Sequence, residues 1–218
     1  MLPTEEEMEQ MLVQRIGKDL YQKIKTATVA VCGLGGLGSN IAVSLARAGV
    51  GTLILIDFDR VEISNLNRQQ YKACQIGMEK TKALAENLRE IAPYIHVITH
   101  TAKVTEENLR ELTEGAEIIC EAFDRAEEKS MLTEAVLTQL PDTILVASSG
   151  MAGLDSPNTI RTRKISARFY LCGDEKSDVE TVGSLFAPRV MLCAAHQATT
   201  VLRLIAGKNK KKEDHEND

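Results

Sequence analysis

A glycine-rich turn, GLGGLGS, follows a short apolar run and precedes an amphipathic segment near the N-terminus. Gly33, Gly35 and Gly38 have the GxGxxG spacing, and Gly36 is an additional glycine between them. Such a turn lets the backbone approach phosphate oxygens, and the start of the following helix favours negative charge. The turn therefore predicts a site for a phosphate-bearing ligand. A purely structural interpretation stays open, in which the glycines let strand and helix pack closely.

The residues after the second apolar run indicate what that ligand contains besides phosphate. Asp57 ends this run, where an acidic residue accepts ribose hydroxyls in dinucleotide-binding folds. Ser64, Asn65 and Arg68 follow in the segment VEISNLNRQ, and Lys80 opens the next amphipathic segment. A nicotinamide site has no evident use for these side chains, whereas a triphosphate would be neutralised by the two cations. The pattern favours a nucleoside triphosphate, with an NAD-dependent oxidoreductase as the alternative.

The elements that must position these residues follow from the periodicity of apolar residues. Continuous apolar runs, typical of strands buried on both faces, alternate with amphipathic segments typical of helices. The predicted strands are 28–32, 51–57, 95–99, 116–120 and 143–148, and the predicted helices are 8–24, 39–48, 80–91, 106–112 and 127–140. This alternation predicts an α/β fold with a doubly wound, Rossmann-like, mainly parallel sheet.

The chain changes character beyond Gly150. Two short antiparallel strands are predicted at 159–165 and 167–171, followed by a loop at 173–183 and a final helix at 188–205 that begins with a proline. The stretch 208–218 is charged and has no apolar residue, which predicts a disordered tail. We expect one domain over residues 1–207, because no linker is long enough to divide it.

Composition and charge argue against several classes of partner. The 218 residues have a formal net charge of −5, with acidic and basic residues interspersed, so a nucleic-acid partner is not expected. No apolar run is long enough to cross a membrane. The N-terminus is acidic, unlike that of a signal peptide, and we therefore expect a cytoplasmic protein.

The cysteines suit a reducing compartment. There are five of them, without a CxxC pair, which argues against a disulfide framework. Cys172 and Cys193 stand alone in the second half of the chain, and with His196 they supply at most three ligands of a tetrahedral site. We therefore predict no structural zinc.

Three segments together, GLGGLGS, LIDFDRVEISNLNRQ and GMEK, resemble the ubiquitin-activating-enzyme superfamily. More narrowly, they are similar to the bacterial ThiF and MoeB enzymes, which adenylate small sulfur-carrier proteins. The resemblance extends over residues 15–207, and the segment from SGMAG to LRLIAG is closer to a short ThiF subgroup of thiamine biosynthesis. It implies a homodimer that uses ATP and Mg²⁺ to adenylate the C-terminal glycine of a ubiquitin-like carrier ending in Gly-Gly. Pyrophosphate would be released, and the carrier would be primed for sulfur transfer from a donor protein.

The resemblance also implies roles for residues that match its motifs. Asp57 would hold the ATP ribose, and Asp59 would assist near the phosphates. Ser64, Asn65 and Arg68 would line the path of the nucleotide and its phosphates.

Four further residues have an implied role. Lys80 would pair with the phosphates, although it could be a solvated surface charge. Asp124 would position Mg²⁺, although aspartate is also a favoured helix cap. Arg15 would be lent across a dimer interface, and its alternative is a surface position on the first helix. Cys172 would receive the activated carrier as a thioester or persulfide, because the predicted loop would expose it, and its alternative is a buried thiol.

Several functions stay open beside carrier adenylation. Residues 26–150 are expected to bind ATP and residues 151–207 to bind the carrier. The same resemblance includes MoeB-like enzymes of molybdopterin biosynthesis and dehydratases that adenylate a modified base in transfer RNA. The net negative charge counts against transfer RNA. A non-catalytic carrier-binding module with this fold is a further alternative.

Overall fold

The computed structural model describes residues 2–207, and the tail predicted at 208–218 lies outside the described residues. The strands of this part are β1 (Thr28–Cys32), β2 (Thr52–Ile56), β3 (His96–His100), β4 (Ile118–Glu121), β5 (Ile144–Ser148), β6 (Arg161–Ser166) and β7 (Phe169–Gly173). They form one sheet in the order β3-β2-β1-β4-β5-β7-β6. All neighbours are parallel except the antiparallel pair β6 and β7. The predicted doubly wound, mainly parallel α/β fold with a short antiparallel C-terminal extension is confirmed.

Helices cover both faces of the sheet. They are α1 (Glu5–Ile16), α2 (Lys18–Thr26), α3 (Gly36–Arg47), α4 (Lys80–Ile91), α5 (Leu109–Leu112), α6 (Ala126–Gln139), α7 (Val179–Val182) and α8 (Ala187–Ile205). Helices α3, α4 and α8 contribute to the core on one face, and α5 and α6 to the core on the other. Within residues 2–207, no helix is both long enough and apolar enough to cross a membrane.

Strand β1 lies between these two cores. Val29 and Val31 belong to the core beneath α3, α4 and α8, whereas Ala30 and Cys32 belong to the core beneath α5 and α6. Successive side chains of a strand point to opposite faces, so a strand covered on both sides needs an unbroken apolar run. This burial fixes the end of β1, and with it the glycine turn, near the middle of the sheet.

The N-terminal region corrects one prediction. The helix predicted at 8–24 is two helices, which Gly17 separates with a φ of +83°. Glycine adopts this conformation without the steric cost that a Cβ would add. Buried residues of this region, Tyr21 and Ile24, belong to α2, whereas α1 has none.

The C-terminal region corrects a second prediction. Strand β7 continues to Gly173, beyond the predicted end at residue 171, so Cys172 lies in a strand and not in a loop. The short helix α7 occupies part of the loop predicted at 173–183, and α8 begins at Ala187. Because β7 pairs with β5, these strands extend the same sheet.

Candidate functional site

A cleft of about 580 Å³ opens at the carboxyl ends of β1, β2, β4 and β5. Ligands of open α/β sheets bind at this edge, at the point where the strand order reverses, and here that point is β1. The sequence-predicted residues that line the cleft are Gly33, Gly35, Gly36, Asp57, Asp59, Asn65, Arg68, Lys80 and Asp124. One cleft therefore brings together most of the predicted site.

The glycine turn places backbone at the floor of this cleft. Gly33 has a φ of +88°, and a Cβ there would lie 2.8 Å from the Ala122 carbonyl oxygen. A Cβ at Gly38 would lie 1.8 Å from the Gly33 carbonyl oxygen. Gly38 therefore allows the helix to pack closely beneath the turn, and it does not line the cleft. At Gly35 the nearest atom to a Cβ would be 3.7 Å away, which leaves room above the turn. No side chain of the described residues caps the start of α3, so its first N–H groups are available to phosphate oxygens.

The Asp57 carboxylate is held by backbone donors. Its Oδ2 accepts a hydrogen bond from the Leu34 N–H at 2.6 Å, and its Oδ1 accepts one from the Asp59 N–H at 2.7 Å. Burial raises the pKa of Asp57 above its ordinary value, while the nearby Lys80 ammonium and the two N–H groups act in the opposite direction. The two backbone donors thus orient the carboxylate, which keeps lone pairs for hydroxyl donors.

Lys80 is buried at the first position of α4, although lysine is seldom fully buried without a partner. Its Nζ lies 2.7 Å from Asp59 Oδ2 and 3.9 Å from Asp57 Oδ2. Its backbone N–H also donates to the Asp59 carbonyl oxygen at 3.0 Å. The interpretation of Lys80 as a solvated surface charge is wrong, because the structure places this ammonium against two carboxylates in the cleft.

Arg68 and Asn65 line the cleft on the segment that follows β2. Arg68 Nη1 donates to the Ser64 carbonyl oxygen at 3.1 Å and to Asn67 Oδ1 at 2.9 Å. Asn65 Oδ1 accepts from the Glu62 N–H at 3.1 Å. Ser64 is exposed and is not among the lining residues, and its hydroxyl donates to Glu62 Oε2. The structure therefore brings Arg68 and Asn65 to the cleft, but not the Ser64 side chain.

Asp124 is an exposed residue at the cleft, just after β4. The alternative of a helix cap is wrong, because Arg125 occupies the cap position of α6 and no side chain of the described residues caps this helix. Residues 2–207 include no group of three or more His, Cys, Asp or Glu side chains that could hold a metal ion. A single carboxylate fits Mg²⁺ that enters with a nucleotide, since Mg²⁺ commonly binds one or two carboxylates together with substrate phosphates and water.

Cys172 does not have the predicted exposure, which is a correction. It is fully buried in β7, where β5 on one side and β6 on the other enclose it. Burial raises the pKa of its thiol, although contacts with Thr162 and Thr200 lower it in part. A buried thiol with a raised pKa is a poor nucleophile. The exposed cysteine of this chain is Cys74, which lies away from the lining residues.

Arg15 is exposed in the last turn of α1 and does not line the cleft. Its predicted role concerns a second subunit and stays a prediction.

Two polar groups of the cleft were missed in the sequence. Gln69 is buried, lines the cleft, and its Oε1 has no hydrogen-bond partner within residues 2–207. Lys129 lines the cleft and lies 2.9 Å from Oε1 of the buried Glu121, and its Nζ also lies 3.1 Å from Ser148 Oγ. Gln69 belongs to the NLNRQ motif and could have been found there, whereas the Lys129 contacts join α6 to the ends of β4 and β5 and have no local signal.

The cleft also has an apolar part on the side of α5 and α6. It is lined by Phe58, Ala102, Val104, Phe123 and Ala126. Lys103 and Glu128 form an ion pair of 3.1 Å across this part, and Lys103 Nζ lies 5.8 Å from the centre of the Phe58 ring. An apolar wall beside the carboxylate of Asp57 suits a planar base attached to a ribose.

The fold and the cleft define the class, which is a doubly wound α/β protein with its ligand site at the strand-order reversal. The family profile described as "ThiF family" matches residues 8–217, and the chain belongs to the ThiF family. The predicted resemblance to ThiF and MoeB enzymes is thereby confirmed.

Two adenylyltransferases are similar in sequence to this chain. The molybdopterin-synthase adenylyltransferase of Haemophilus influenzae is 33% identical over 208 residues, which cover 92% of this chain and 84% of that protein. The adenylyltransferase and sulfurtransferase MOCS3 of Aedes aegypti is 33% identical over 144 residues, which cover 65% of this chain. That match covers 32% of the mosquito protein, so this chain spans about a third of its length.

Among solved structures, the E. coli tRNA N6-threonylcarbamoyladenosine dehydratase TcdA in complex with ATP superposes with a TM-score of 0.82. The superposition covers 97% of this chain and 100% of that chain, at 20% identity. At this identity the likeness shows a shared fold.

Proposed function

We propose that this protein adenylates the C-terminal carboxylate of a ubiquitin-like sulfur carrier, with ATP and Mg²⁺ as co-substrates and pyrophosphate as the released product. The observation that supports this most is the buried Lys80 ammonium, 3.9 Å from the buried Asp57 carboxylate, at the mouth of an open glycine turn. This arrangement offers one group to a ribose and several donors to phosphates. The apolar part of the cleft is suited to adenine.

The proposed reaction needs charge neutralisation more than acid–base chemistry. A carboxylate oxygen of the carrier attacks the α-phosphorus of ATP, a new O–P bond forms, and the bond to the pyrophosphate oxygen breaks with its electron pair. No proton has to move, because the carboxylate is already ionised near neutral pH. Lys80 and Arg68 would offset the repulsion between the two anions and the charge that develops on the leaving group.

Asp124 would hold Mg²⁺ in this scheme, and the ion would supply further neutralisation of phosphate oxygens. Asp59 would act on Lys80 and not on the metal ion. Its carboxylate lies 2.7 Å from Lys80 Nζ, so it would orient the ammonium that faces the phosphates. Gln69, whose buried Oε1 has no hydrogen-bond partner within residues 2–207, would be a further contact to the bound ligands.

The opposite end of the cleft would take the carrier tail. It is lined by small or apolar residues of the segments that follow β5 and that join β7 to α8: Ser149, Gly150, Met151, Ala152, Ser177, Val179 and Leu185, together with Asp178. A chain that ends in Gly-Gly has no side chains at its last two positions and would fit closely between these residues. In this proposal residues 26–150 bind ATP, residues 151–207 bind the carrier, and both belong to one domain over 1–207.

The carrier of thiamine biosynthesis is our first choice, and it rests on the ThiF-like segment after Gly150. The carrier of molybdopterin biosynthesis is the second, because the relative from Haemophilus influenzae is named for that pathway and matches nearly the whole chain. We further propose a homodimer in which Arg15 reaches the neighbouring cleft. The five free cysteines support a reducing, cytoplasmic setting.

The test is ATP–pyrophosphate exchange with radiolabelled pyrophosphate, Mg²⁺ and either carrier. A carrier that lacks its last glycine is the substrate control. Asp124→Ala tests the site, and Glu127→Ala is its matched control, since Glu127 is an exposed acid in the first turn of α6 and does not line the cleft. We expect exchange that needs the terminal glycine, disappears in Asp124→Ala and persists in Glu127→Ala.

Each other outcome has a distinct meaning. Exchange with the molybdopterin carrier alone would keep the chemistry and change the pathway. No exchange with either carrier, in a folded protein, would contradict the proposal and make transfer RNA the next substrate to test. Thermal stabilisation by NAD instead of ATP with Mg²⁺ would favour the oxidoreductase. Stabilisation by a carrier without any exchange would favour a non-catalytic binding module.

A further inference from the structure

We infer that Asn40 is a positioning residue that holds the Arg68–Gln70 segment, and with it the Arg68 guanidinium, against the glycine turn. This inference rests on the proposed function, because it assigns Arg68 its task during adenylation. It starts from two polar residues of the turn, Ser39 and Asn40, which are buried and do not line the cleft. Buried polar side chains are retained where they make hydrogen bonds.

Asn40 joins helix α3 to the backbone of Arg68. Its Nδ2 donates to the Arg68 carbonyl oxygen at 3.1 Å and to the Gly36 carbonyl oxygen at 2.6 Å. Its Oδ1 accepts from Gln70 Nε2 at 2.7 Å. One amide side chain thus contacts both the glycine turn and the motif segment, which are about 30 residues apart in sequence.

Ser39 holds the same segment one peptide further on. Its hydroxyl donates to the Gly35 carbonyl oxygen at 2.6 Å and accepts from the Gln70 N–H at 3.1 Å. Because Asn40 binds the carbonyl of Arg68 and Ser39 binds the N–H of Gln70, the two side chains hold the backbone on both sides of Gln69. Gln69 is the cleft residue whose Oε1 has no partner in the described part of the chain.

The segment is also held from α4. Asn87 Nδ2 donates to the Gln70 carbonyl oxygen at 2.8 Å, and Asn87 pairs with the buried Gln75. The motif segment therefore lies between α3 and α4, with hydrogen bonds to both. A network in which each member has its partners makes an arrangement rigid.

The guanidinium of Arg68 depends on this arrangement for its place. The hydrogen bonds of its Nη1 go to Ser64 and Asn67, which are exposed residues of the same segment. Those bonds shape the segment but do not tie it to the glycine turn. Arg68 Cγ packs closely over Gly36, 3.3 Å from where a Cβ would be, so a small shift of the segment would move the cation relative to the turn.

The kinetic consequence follows from where the charge of Arg68 is needed. A cation that is misplaced by about 1 Å still attracts ATP but no longer meets the charge that develops on the leaving group, and such shifts can lower rates about 100-fold. We therefore expect Asn40→Ala to lower kcat for ATP–pyrophosphate exchange by about 10- to 100-fold. The KM for ATP should change by no more than about threefold.

A double-mutant cycle distinguishes positioning from a general loss of structure. If Asn40 acts through Arg68, then adding Asn40→Ala to the Arg68→Ala variant should lower its kcat by less than about threefold. Ser39→Ala, which keeps α3 intact because alanine favours helix, should show the same dependence on Arg68 to a smaller extent. Ser44→Ala is the matched control, since Ser44 bonds within α3 to the Asn40 carbonyl and does not reach Arg68.

Two results would overturn the inference. One is a double variant whose fold-loss in kcat equals the product of the Asn40→Ala and Arg68→Ala losses. The other is an unchanged kcat in folded Asn40→Ala protein. A measurement without nucleotide separates this inference from the proposed function: the Arg68 side-chain Nε–H resonance, assigned by its loss in Arg68→Ala, should show greater mobility in Asn40→Ala. A wild-type protein without exchange activity would refute the proposed function, whereas an unchanged resonance would refute the positioning role.

Discussion

The buried ammonium of Lys80 lies 3.9 Å from the buried carboxylate of Asp57, and Asp59 approaches the same ammonium to 2.7 Å. One cation thus faces two carboxylates at the place where a polyanionic ligand would bind. In the proposed reaction a nucleotide would share Lys80 with these acids and would gain from arriving with a divalent cation. Under the proposed function, magnesium that arrives with the triphosphate would offset the charge of these acids.

Lys80→Ala should damage both activity and stability. Loss of a preorganised charge at the reacting phosphates should lower kcat for exchange by about 100-fold. The substitution also leaves the Asp57 carboxylate buried without its cation, and the free energy of unfolding should fall by about 1–3 kcal/mol. Exchange kinetics and urea unfolding measure the two effects separately.

The control for this prediction lies on the same helix. Lys82 is largely exposed and pairs with Glu79 at 2.8 Å, so Lys82→Ala should leave exchange within about twofold and stability within about 0.5 kcal/mol. Equal losses in the two variants would show that Lys80 contributes no more than a surface charge.

Alanine substitutions at two glycines of the turn should have different effects, one on stability and the other on ligand binding. A Cβ at Gly38 would overlap the Gly33 carbonyl oxygen, so Gly38→Ala should lower the free energy of unfolding by about 3 kcal/mol or more. A Cβ at Gly35 meets nothing closer than 3.7 Å, so Gly35→Ala should fold normally. It should still weaken ATP binding about tenfold, because the methyl group occupies the space above the turn. Urea unfolding and calorimetric titration with ATP and Mg²⁺ measure these changes.

The reverse pattern would contradict this account of the turn. If Gly35→Ala binds ATP as the wild type does, the space above Gly35 is not the phosphate site. If Gly38→Ala is as stable as the wild type, the close contact with Gly33 is relieved by the backbone at little cost.

Local patterns were enough to predict the sheet and the centre of the site. Strands covered on both faces need unbroken apolar runs, and the residues that follow such strands meet at one edge, so Gly33 and Asp57 could be placed from sequence. Gly17 was missed as a helix break because apolar residues continue at helical spacing across it. Its effect depends on a positive φ that the periodicity does not reveal.

What was missed depends on contacts between distant segments. Cys172 follows an apolar run and precedes a glycine, which looks like a strand end, but α8 and the pairing with β5 extend the strand and bury the thiol. The role of Ser39 depends on Gln70, from which it is separated by 31 positions. The spacing of residues along one segment cannot predict such pairings.

Cys172→Ala should leave exchange activity within about twofold, because its thiol is buried and has a raised pKa. In the native protein, maleimide should label Cys74 first, and Cys74→Ala should remove the fast phase of labelling. Burial raises the pKa of Cys193 to about 12, so this thiol should also stay unlabelled until the protein unfolds. A covalent adduct between the protein and its carrier, seen by intact mass and lost in Cys172→Ala, would contradict this prediction.

The ion pair of Asp174 and Arg189 should make stability depend on pH in a defined range. Their charged atoms lie 2.5 Å apart in a buried setting that joins the loops after β5 and β7. Burial opposes ionisation, but hydrogen bonds from Ser177, Lys176 and Arg189 lower the pKa of Asp174 from 3.8 to about 2. A carboxyl group with a lower pKa in the folded than in the unfolded protein stabilises the fold. This stabilisation is complete above the unfolded-state pKa and is lost as pH falls through the folded-state pKa.

The size of this effect can be measured with Asp174→Asn. The stabilisation from the shifted pKa is about 2 kcal/mol near neutral pH, and roughly half of it should be lost by pH 3. The difference in unfolding free energy between wild type and Asp174→Asn, from urea unfolding, should therefore shrink by about 1 kcal/mol between pH 6 and pH 3. Asp142→Asn, at an exposed loop position, is the matched control for the substitution itself. A constant difference for Asp174→Asn across this range would mean that the carboxylate gains nothing from Arg189 by being ionised.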